Sequence, residues 1–217
     1  MSGVRSCLLG LATSAILLSC QSNFRGETDE EPPLAVDHGG RPRAWETCEP
    51  IAFELSRKFR QAPAVYQPVE EAFKAWSLEG IPRLRLLWGP DRTANEDGHN
   101  TVEFTTPRRL CTGAHKAGCL FKDWGGLTEL MGTPGDDKRS NTLEADIRLD
   151  IHLLNQPERL REVLMHELGH VLGLDHSSEH SLSAQTIMSP NPKAGYRRPG
   201  ALDVRVLRRL YRKQCAK

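Results

Sequence analysis

The sequence predicts one domain of the α+β or α/β class, in which strands and helices are interspersed. Short segments alternate between apolar and polar residues, as half-buried strands do, and longer segments carry apolar residues at helical spacing. The length of 217 residues suits one domain together with a processed leader. Hydrophobic residues make up 38% of the chain and charged residues 26%, a composition with which a domain builds a packed core.

Five segments are predicted as strands. The alternation is clearest at 51–55 and 144–150, where bulky or small apolar residues occupy every second position. A Pro-Gly-Asp-Asp turn at 134–137 separates the last two strands. The predicted strands are 51–55, 84–88, 101–104, 126–131 and 143–151.

Three segments are predicted as helices from apolar residues at helical spacing, at 69–76, 157–173 and 202–211. The middle helix is the best marked of the three. Asn155 and Glu158 form a predicted capping box, Pro157 suits the first turn, and Gly173 suits the end.

The first residues predict export. Arg5 is the only charged residue before an apolar run at 8–18, which is too short for a permanent membrane span. The following Leu-Leu-Ser-Cys resembles the lipobox of bacterial lipoproteins, which implies lipidation of Cys20. Gln21 then favours an outer-membrane or cell-surface anchor, and simple secretion is the alternative. The predicted organisation is a lipoprotein-type signal peptide at 1–19, a flexible tether at 20–44 and a folded domain at 45–217.

The net charge of the chain indicates which classes of binding partner are expected. The formal net charge is +1 and the sequence pI is about 7.7, so neither a nucleic acid nor a membrane surface is expected as a partner. Contact with a membrane is expected only through the N-terminal lipid, and the domain is expected to be a monomer.

Cysteine usage predicts disulfides. Of the 6 cysteines, Cys7 would leave with the signal peptide and Cys20 would carry the lipid. An even number in an exported protein predicts bridges, and four cysteines allow three connectivities. The remaining cysteines are Cys48, Cys111, Cys119 and Cys215. One arrangement pairs Cys111 with Cys119 around a short loop and Cys48 with Cys215 across the whole domain.

The segment 166–176 carries a predicted metal site. His166 and His170 are four residues apart on a predicted helix, so both imidazoles project from one face and can reach one ion. Gly173 allows the chain to turn back, which would bring His176 to the same ion from another direction. Three neutral nitrogen ligands leave the fourth zinc position to water, as in a catalytic site. Glu167 is placed to act on that water as the general base of a hydrolase.

The pattern H-E-x-x-H-x-x-G-x-x-H is identified as the metzincin signature, and Ser177 after the third histidine resembles the matrixin branch of that group. Met188 resembles the Met-turn that lies beneath the metal. The likeness extends more loosely over roughly residues 45–211. It implies a metzincin-like catalytic domain with a twisted mixed five-stranded sheet, an active-site helix and a C-terminal helix, and the activity of a zinc endopeptidase.

The resemblance also implies a substrate site. Strand 126–131 would be an antiparallel edge strand, where Gly126 and Leu127 bind a protein or peptide substrate added as an extra strand. Pro190, Asn191 and Pro192 would line the pocket for the side chain just after the cut bond.

One catalytic zinc ion is the expected cofactor. The acidic turn residues Asp136, Asp137 and Asp150 offer calcium ligands but form no clear calcium motif. The alternative function is a catalytically silent, zinc-containing binding or adhesion module of the cell envelope. The intact Glu167 argues against it, because a binding module needs no base beside the metal.

Overall fold

The computed structural model describes residues 31–37, 39–56, 59, 61–90, 97–106, 125–133, 139–177, 186–189 and 195–216. Within these ranges, none of the helices combines the length and the apolar character that crossing a bilayer requires.

Six strands form one mixed sheet in the described part of the chain. They are β1 (Arg43–Ala44), β2 (Ile51–Leu55), β3 (Leu84–Trp88), β4 (Thr101–Thr105), β5 (Gly126–Thr133) and β6 (Ser140–Asp150). The order across the sheet is β1-β6-β4-β2-β3, and β5 pairs with β6. All the pairs are parallel except β5 with β6, which is antiparallel.

The five predicted strands are all present, and β1 is an addition to them. It has two residues, which pair with Ser140 and Asn141 of β6. Two residues are too few to show any periodicity, so this strand has no signature in the sequence. The predicted antiparallel edge strand is confirmed: β5 pairs with β6 along one edge, and no described strand pairs with its other edge.

The alternation that predicts the strands also builds the core. On β2, Ile51, Phe53 and Leu55 are buried while the residues between them are half-buried. On β4 and β6 the buried apolar side chains are Val102, Phe104, Ala145, Ile147 and Leu149. Burying these side chains supplies most of the free energy that holds the sheet against the helices.

Three helices complete the described fold: α1 (Tyr66–Ala75), α2 (Pro157–Val171) and α3 (Ala201–Leu210). α1 makes the crossover between the parallel strands β2 and β3, and its Phe73 packs edge-on against Phe53 with ring centroids 5.7 Å apart. α1 also holds α2, because the indole nitrogen of Trp76 donates to the carbonyl oxygen of Met165 over 2.8 Å.

The start of α2 differs from the prediction. Asn155 ends a 3-10 helix, Ile151–Asn155, and the N-cap of α2 is Gln156, which makes no side-chain capping bond. The predicted capping box of Asn155 and Glu158 is therefore wrong. The reason is that Asp150 starts the 3-10 turn by accepting a hydrogen bond from the backbone amide of His152 over 2.9 Å.

The end of α2 is held by side chains from both ends of the domain. The indole nitrogen of Trp45 donates to the carbonyl oxygen of Val171 over 2.9 Å. The hydroxyl of Tyr211 donates to the carbonyl oxygen of Leu172 over 3.0 Å. Gly173 then takes a φ of +99°, which L side chains rarely adopt. A Cβ there would also lie 2.5 Å from the carbonyl oxygen of Arg43. Glycine is therefore required at this turn for two reasons.

A disulfide joins Cys48 to Cys215, with their Cα atoms 5.2 Å apart. This pair was among the predicted candidates, and the structure selects it from the open connectivities. Cys111 and Cys119 lie outside the described residues, so a bridge between them stays a prediction.

Residues 31–37 lie within the range predicted as a tether and contact the domain. The amide of Ala35 donates to the carbonyl oxygen of Gly173 over 2.9 Å, and the amide of Asp175 donates to that of Pro33 over 2.8 Å. Glu31 forms an ion pair with Arg209 of α3 over 2.7 Å. The domain boundaries themselves stay a prediction.

Candidate metal centre and active site

Three histidine side chains converge at the end of α2. His166 and His170 lie on successive turns of the helix, and His176 lies three residues beyond the turn at Gly173. The Nε2 atom of His176 is 3.1 Å from that of His166 and 3.2 Å from that of His170. The candidate ligand atoms of the three side chains all lie within 4.8 Å of one another.

These distances fit a zinc ion. Two ligands on a tetrahedral zinc, each about 2.0–2.1 Å from the metal, stand about 3.3 Å apart. The measured Nε2 separations of 3.1 and 3.2 Å are close to that value. His166 is buried, His170 is partly exposed and His176 is exposed, so the site is open on one side. A set of three nitrogen ligands with an open side is typical of catalytic zinc.

Two backbone carbonyls orient the rings. Nδ1 of His166 lies 2.9 Å from the carbonyl oxygen of Ile187, and Nδ1 of His170 lies 2.8 Å from that of Leu174. A carbonyl oxygen only accepts, so each Nδ1 carries the proton. The lone pair is therefore on Nε2, which faces the centre of the cluster. A hydrogen bond from the ring nitrogen that does not bind the metal commonly fixes the tautomer and the orientation of a metal-binding histidine.

The environment keeps these imidazoles neutral. The pKa of His170 is lowered to about 4, mainly by loss of water around the ring and secondly by the neighbouring His176. Burial likewise lowers the pKa of His166 well below its ordinary value. At neutral pH both rings therefore hold the neutral form that binds a metal ion.

Met188 lies next to the two segments that carry the histidines. It is fully buried, and its Sδ would be 2.4 Å from a Cβ placed on Gly169 of α2. Ser177, which directly follows the third histidine, donates from its amide to the carbonyl oxygen of Met188 over 2.9 Å. The packing and this hydrogen bond place the Met188 turn against both the helix and the segment that carry the histidines, and its role as a Met-turn stays a prediction.

Asp203 of α3 holds the same turn from the other side. Its carboxylate, which is fully buried, accepts hydrogen bonds from the hydroxyl of Thr186 at 2.5 Å and from the amide of Ile187 at 2.8 Å. The amide of Gly200 donates to it over 2.7 Å. Burial raises the pKa of Asp203, while the donors oppose that change. A series of hydrogen bonds therefore runs from Asp203 to Ile187 and from Ile187 to His166, and it connects α3 to the first histidine.

Glu167, between the first two ligands, points toward β5. The hydroxyl of Thr128 on β5 donates to Oε2 of Glu167 over 2.7 Å. Gly126 faces the same side chain, since a Cβ at Gly126 would lie 2.6 Å from Oε1. Burial raises the pKa of Glu167 to about 7, and the Thr128 hydrogen bond opposes that change.

The other predicted site residues are divided between described and undescribed parts of the chain. Gly126 and Leu127 both lie on the edge strand β5, the first buried and the second half-buried. Asp150 is occupied as the cap of the 3-10 helix. The residues that lie outside the described ranges are Cys20, Cys111, Cys119, Asp136, Asp137, Pro190, Asn191 and Pro192.

Sequence reasoning missed the roles of Thr128 and Asp203. Asp203 lies in the segment 202–211, which was predicted as a helix, and nothing in that segment indicated a contact with the site. Thr128 had no signal either, because a threonine is ordinary at any position of a strand.

One family model matches most of the chain. The family model described as Matrixin matches residues 44–212. Among solved structures, the chain is similar to High choriolytic enzyme 1 from Oryzias latipes (medaka fish), a hatching enzyme zinc-protease. The identity is 14%, the match covers 78% of this chain and 94% of that one, and the TM-score is 0.41. A search of the curated proteins found no match.

The mixed sheet, the three converging histidines and the adjacent glutamate define the class of a zinc metallopeptidase of the metzincin type. Because the family match covers most of the chain, this protein belongs to the matrixin family. It is a zinc-dependent endopeptidase that acts on protein or peptide substrates.

Proposed function

We propose that this endopeptidase holds its zinc with His166, His170 and His176 and uses Glu167 as the general base. The observation that carries the proposal is the convergence of the three Nε2 atoms. The Nε2 atom of His176 is 3.1 Å from that of His166 and 3.2 Å from that of His170. When bound, zinc polarises the carbonyl group of the peptide bond and lowers the pKa of a water molecule to about 7.

Glu167 moves the proton in this proposal. It takes a proton from the attacking water and delivers it to the departing amine, so one carboxylate serves both halves of the hydrolysis. Its position next to the first ligand supports this role. Its contact with Thr128 and its burial between α2 and β5 also keep the side chain from turning out to solvent.

The substrate is proposed to bind along residues 126–131 of β5. The strand is at the edge of the sheet, with Gly126 and Leu127 at the end where Glu167 lies. An extended peptide would add, through backbone hydrogen bonds, to the edge of β5 that pairs with no other described strand, a common way in which proteins bind peptides. Pro190, Asn191 and Pro192 remain proposed pocket residues on the basis of the matrixin resemblance.

A peptide-library digest with the zinc-loaded domain tests the function and reports the specificity. We expect cleavage within peptides, loss of cleavage on removing zinc with a chelator, and recovery when zinc is added back. Glu167→Gln is the matched control, because it keeps the size of the side chain and removes the base. It should retain about one zinc per molecule and lose cleavage. Unchanged cleavage in Glu167→Gln would show that the proposed base is wrong.

The same digest separates this proposal from the alternative of a silent binding module. A silent module would bind zinc and leave every peptide intact, in the wild type as well as in Glu167→Gln. Both proteins should hold zinc equally well, so the difference lies in cleavage alone.

We also propose that the protein is an exported lipoprotein of the cell envelope, anchored through Cys20 at the outer membrane or cell surface. The support is the short apolar segment at 8–18 followed by a lipobox-like Leu-Leu-Ser-Cys. Incorporation of a labelled fatty acid in the wild type and not in Cys20→Ala is the expected result. Label that persists in Cys20→Ala would exclude this anchor and favour another mode of export. The monomeric state stays a prediction, which sedimentation of the soluble domain tests.

A further inference from the structure

The strand proposed to bind the substrate also touches the proposed base. Gly126 and Thr128 are two residues apart on β5, so they face the same side of the sheet. Both meet the side chain of Glu167, Gly126 at Oε1 and Thr128 at Oε2. The two carboxylate oxygens are therefore each in contact with β5.

Gly126 provides the space for the carboxylate. A Cβ at this position would lie 2.6 Å from Oε1, 2.8 Å from Cγ and 2.9 Å from Cδ of Glu167. These separations are shorter than real Cβ contacts, so any larger residue would force the glutamate to move. Glu167 is almost fully buried, which leaves little room for such a movement.

Thr128 provides the directional contact. Its hydroxyl lies 2.7 Å from Oε2 of Glu167 and 3.1 Å from the carbonyl oxygen of the same residue. The shorter contact goes to the carboxylate, and hydrogen bonds to charged groups are stronger than those to neutral ones. The hydroxyl thus fixes the rotation of the carboxylate of Glu167 about the Cγ–Cδ bond.

We propose that Gly126 and Thr128 of β5 are positioning residues that hold Glu167 in its working orientation, Gly126 by leaving space and Thr128 by its hydrogen bond. This inference rests on the proposed role of Glu167 as the base. It has a functional consequence. Because β5 is proposed to hold the peptide and also contacts the carboxylate of Glu167, residues of this strand help to set the distance between the base and the peptide bond.

Steady-state kinetics on one fluorogenic peptide, chosen from the digest, tests the inference. Thr128→Val removes the hydroxyl and keeps the shape of the side chain. We expect it to lower kcat on the order of ten- to a hundredfold, the range for losing a hydrogen bond to a charged group. KM, zinc content and Tm should stay close to those of the wild type. Thr128→Ser, which keeps the hydroxyl, should recover most of kcat.

Two further variants make the test specific. Gly126→Ala should lower kcat about tenfold or more while zinc stays bound, since the added methyl group displaces the carboxylate. Thr133→Val is the matched control, because it makes the same substitution at the exposed far end of β5. It should keep the kcat of the wild type.

A double-mutant comparison shows whether Thr128 acts through Glu167. Glu167→Asp shortens the side chain so that its carboxylate no longer reaches the hydroxyl. Thr128→Val should then cost little further activity in the Glu167→Asp background, so the two effects should not add. Fully additive losses would overturn the inference.

The outcomes separate the inference from the proposed function. If Glu167→Gln cleaves as well as the wild type, the role of Glu167 fails and the positioning inference fails with it. If Glu167→Gln is inactive and Thr128→Val keeps kcat within twofold of Thr133→Val, only the positioning inference fails. A loss in Thr128→Ser as large as that in Thr128→Val would also overturn it, since the hydroxyl would then not be the cause.

Discussion

The carbonyl oxygen of Ile187 accepts a hydrogen bond from Nδ1 of His166 over 2.9 Å. The amide of the same residue donates to Asp203 of α3 over 2.8 Å. One peptide segment therefore transmits the position of a buried carboxylate on the C-terminal helix to the first metal ligand. Hydrogen bonds that orient metal-binding side chains commonly influence the affinity of a site for its metal.

Asp203→Ala is expected to weaken both the fold and the metal site. The substitution leaves the amides of Ile187 and Gly200 and the hydroxyl of Thr186 without their acceptor. We expect the free energy of unfolding to fall by about 2–4 kcal/mol and zinc affinity to fall about tenfold or more. Urea unfolding and competition with a chelator measure the two effects.

Asp203→Asn is the control for that prediction. The amide oxygen can still accept from the two backbone amides, so the loss should be clearly smaller than in Asp203→Ala. Equal zinc affinity in the wild type and Asp203→Ala would contradict a link between α3 and the ligands.

Gly169 and Met188 are expected to be coupled. In an open helix position, alanine is more favourable than glycine by about 1 kcal/mol. Here a Cβ on Gly169 would lie 2.4 Å from Sδ of Met188 and 3.3 Å from Cζ2 of Trp76. Gly169→Ala should therefore destabilise the protein instead of stabilising it.

The double variant Gly169→Ala with Met188→Ala tests the cause. Removing the methionine side chain makes room for the new methyl group, so the combined loss should be smaller than the sum by about 1 kcal/mol. Thermal or urea unfolding of the four proteins completes the cycle. Strict additivity would mean that Met188 is not the obstacle.

Asp146 of β6 predicts a pH dependence of stability. Burial raises its pKa to about 6, although Thr101 donates two hydrogen bonds to Oδ1. Its Oδ2 finds no hydrogen-bond partner among the described residues. The folded state therefore keeps this proton between about pH 4 and pH 6, where the unfolded state has released it.

The contribution of Asp146 to stability is thus most favourable below about pH 4 and decreases as the pH rises to about 6. We expect the free energy of unfolding of the wild type, relative to Asp146→Asn, to fall by up to about 3 kcal/mol over that range. Urea unfolding of both proteins at several pH values measures the difference, and effects of zinc loss common to both cancel. A difference that does not change with pH would contradict the raised pKa.

The disulfide between Cys48 and Cys215 spans 167 residues of sequence, so it constrains nearly the whole unfolded domain. The double variant Cys48→Ser with Cys215→Ser should lose about 4–5 kcal/mol of stability in the simple chain-entropy description. The kcat of the folded protein should stay unchanged, because neither cysteine belongs to the metal centre. Urea unfolding and kinetics at low temperature check the two statements separately. A loss of kcat without a loss of stability would contradict this account.

Much of the fold was predictable because its signals are local. Periods of two and of 3.6 residues depend on which face of a strand or helix is buried, and the core side chains of β2, β4 and β6 follow them. The two residues of β1 are too few to show an alternation of apolar and polar residues. Asn155 was a reasonable capping residue by type, but Asp150 had already started a 3-10 turn ahead of it.

The metal ligands were also readable from the sequence. The three histidines lie within eleven consecutive positions, on one helix and the turn after it, so their convergence follows largely from helix geometry and a glycine at the turn. What surrounds them depends on parts of the chain that are distant in sequence. Thr128 meets Glu167 across 39 positions, and Asp203 meets Ile187 across 16. Such contacts exist only once the sheet, α2 and α3 have packed together, because no local spacing determines which strand residue faces which helix residue.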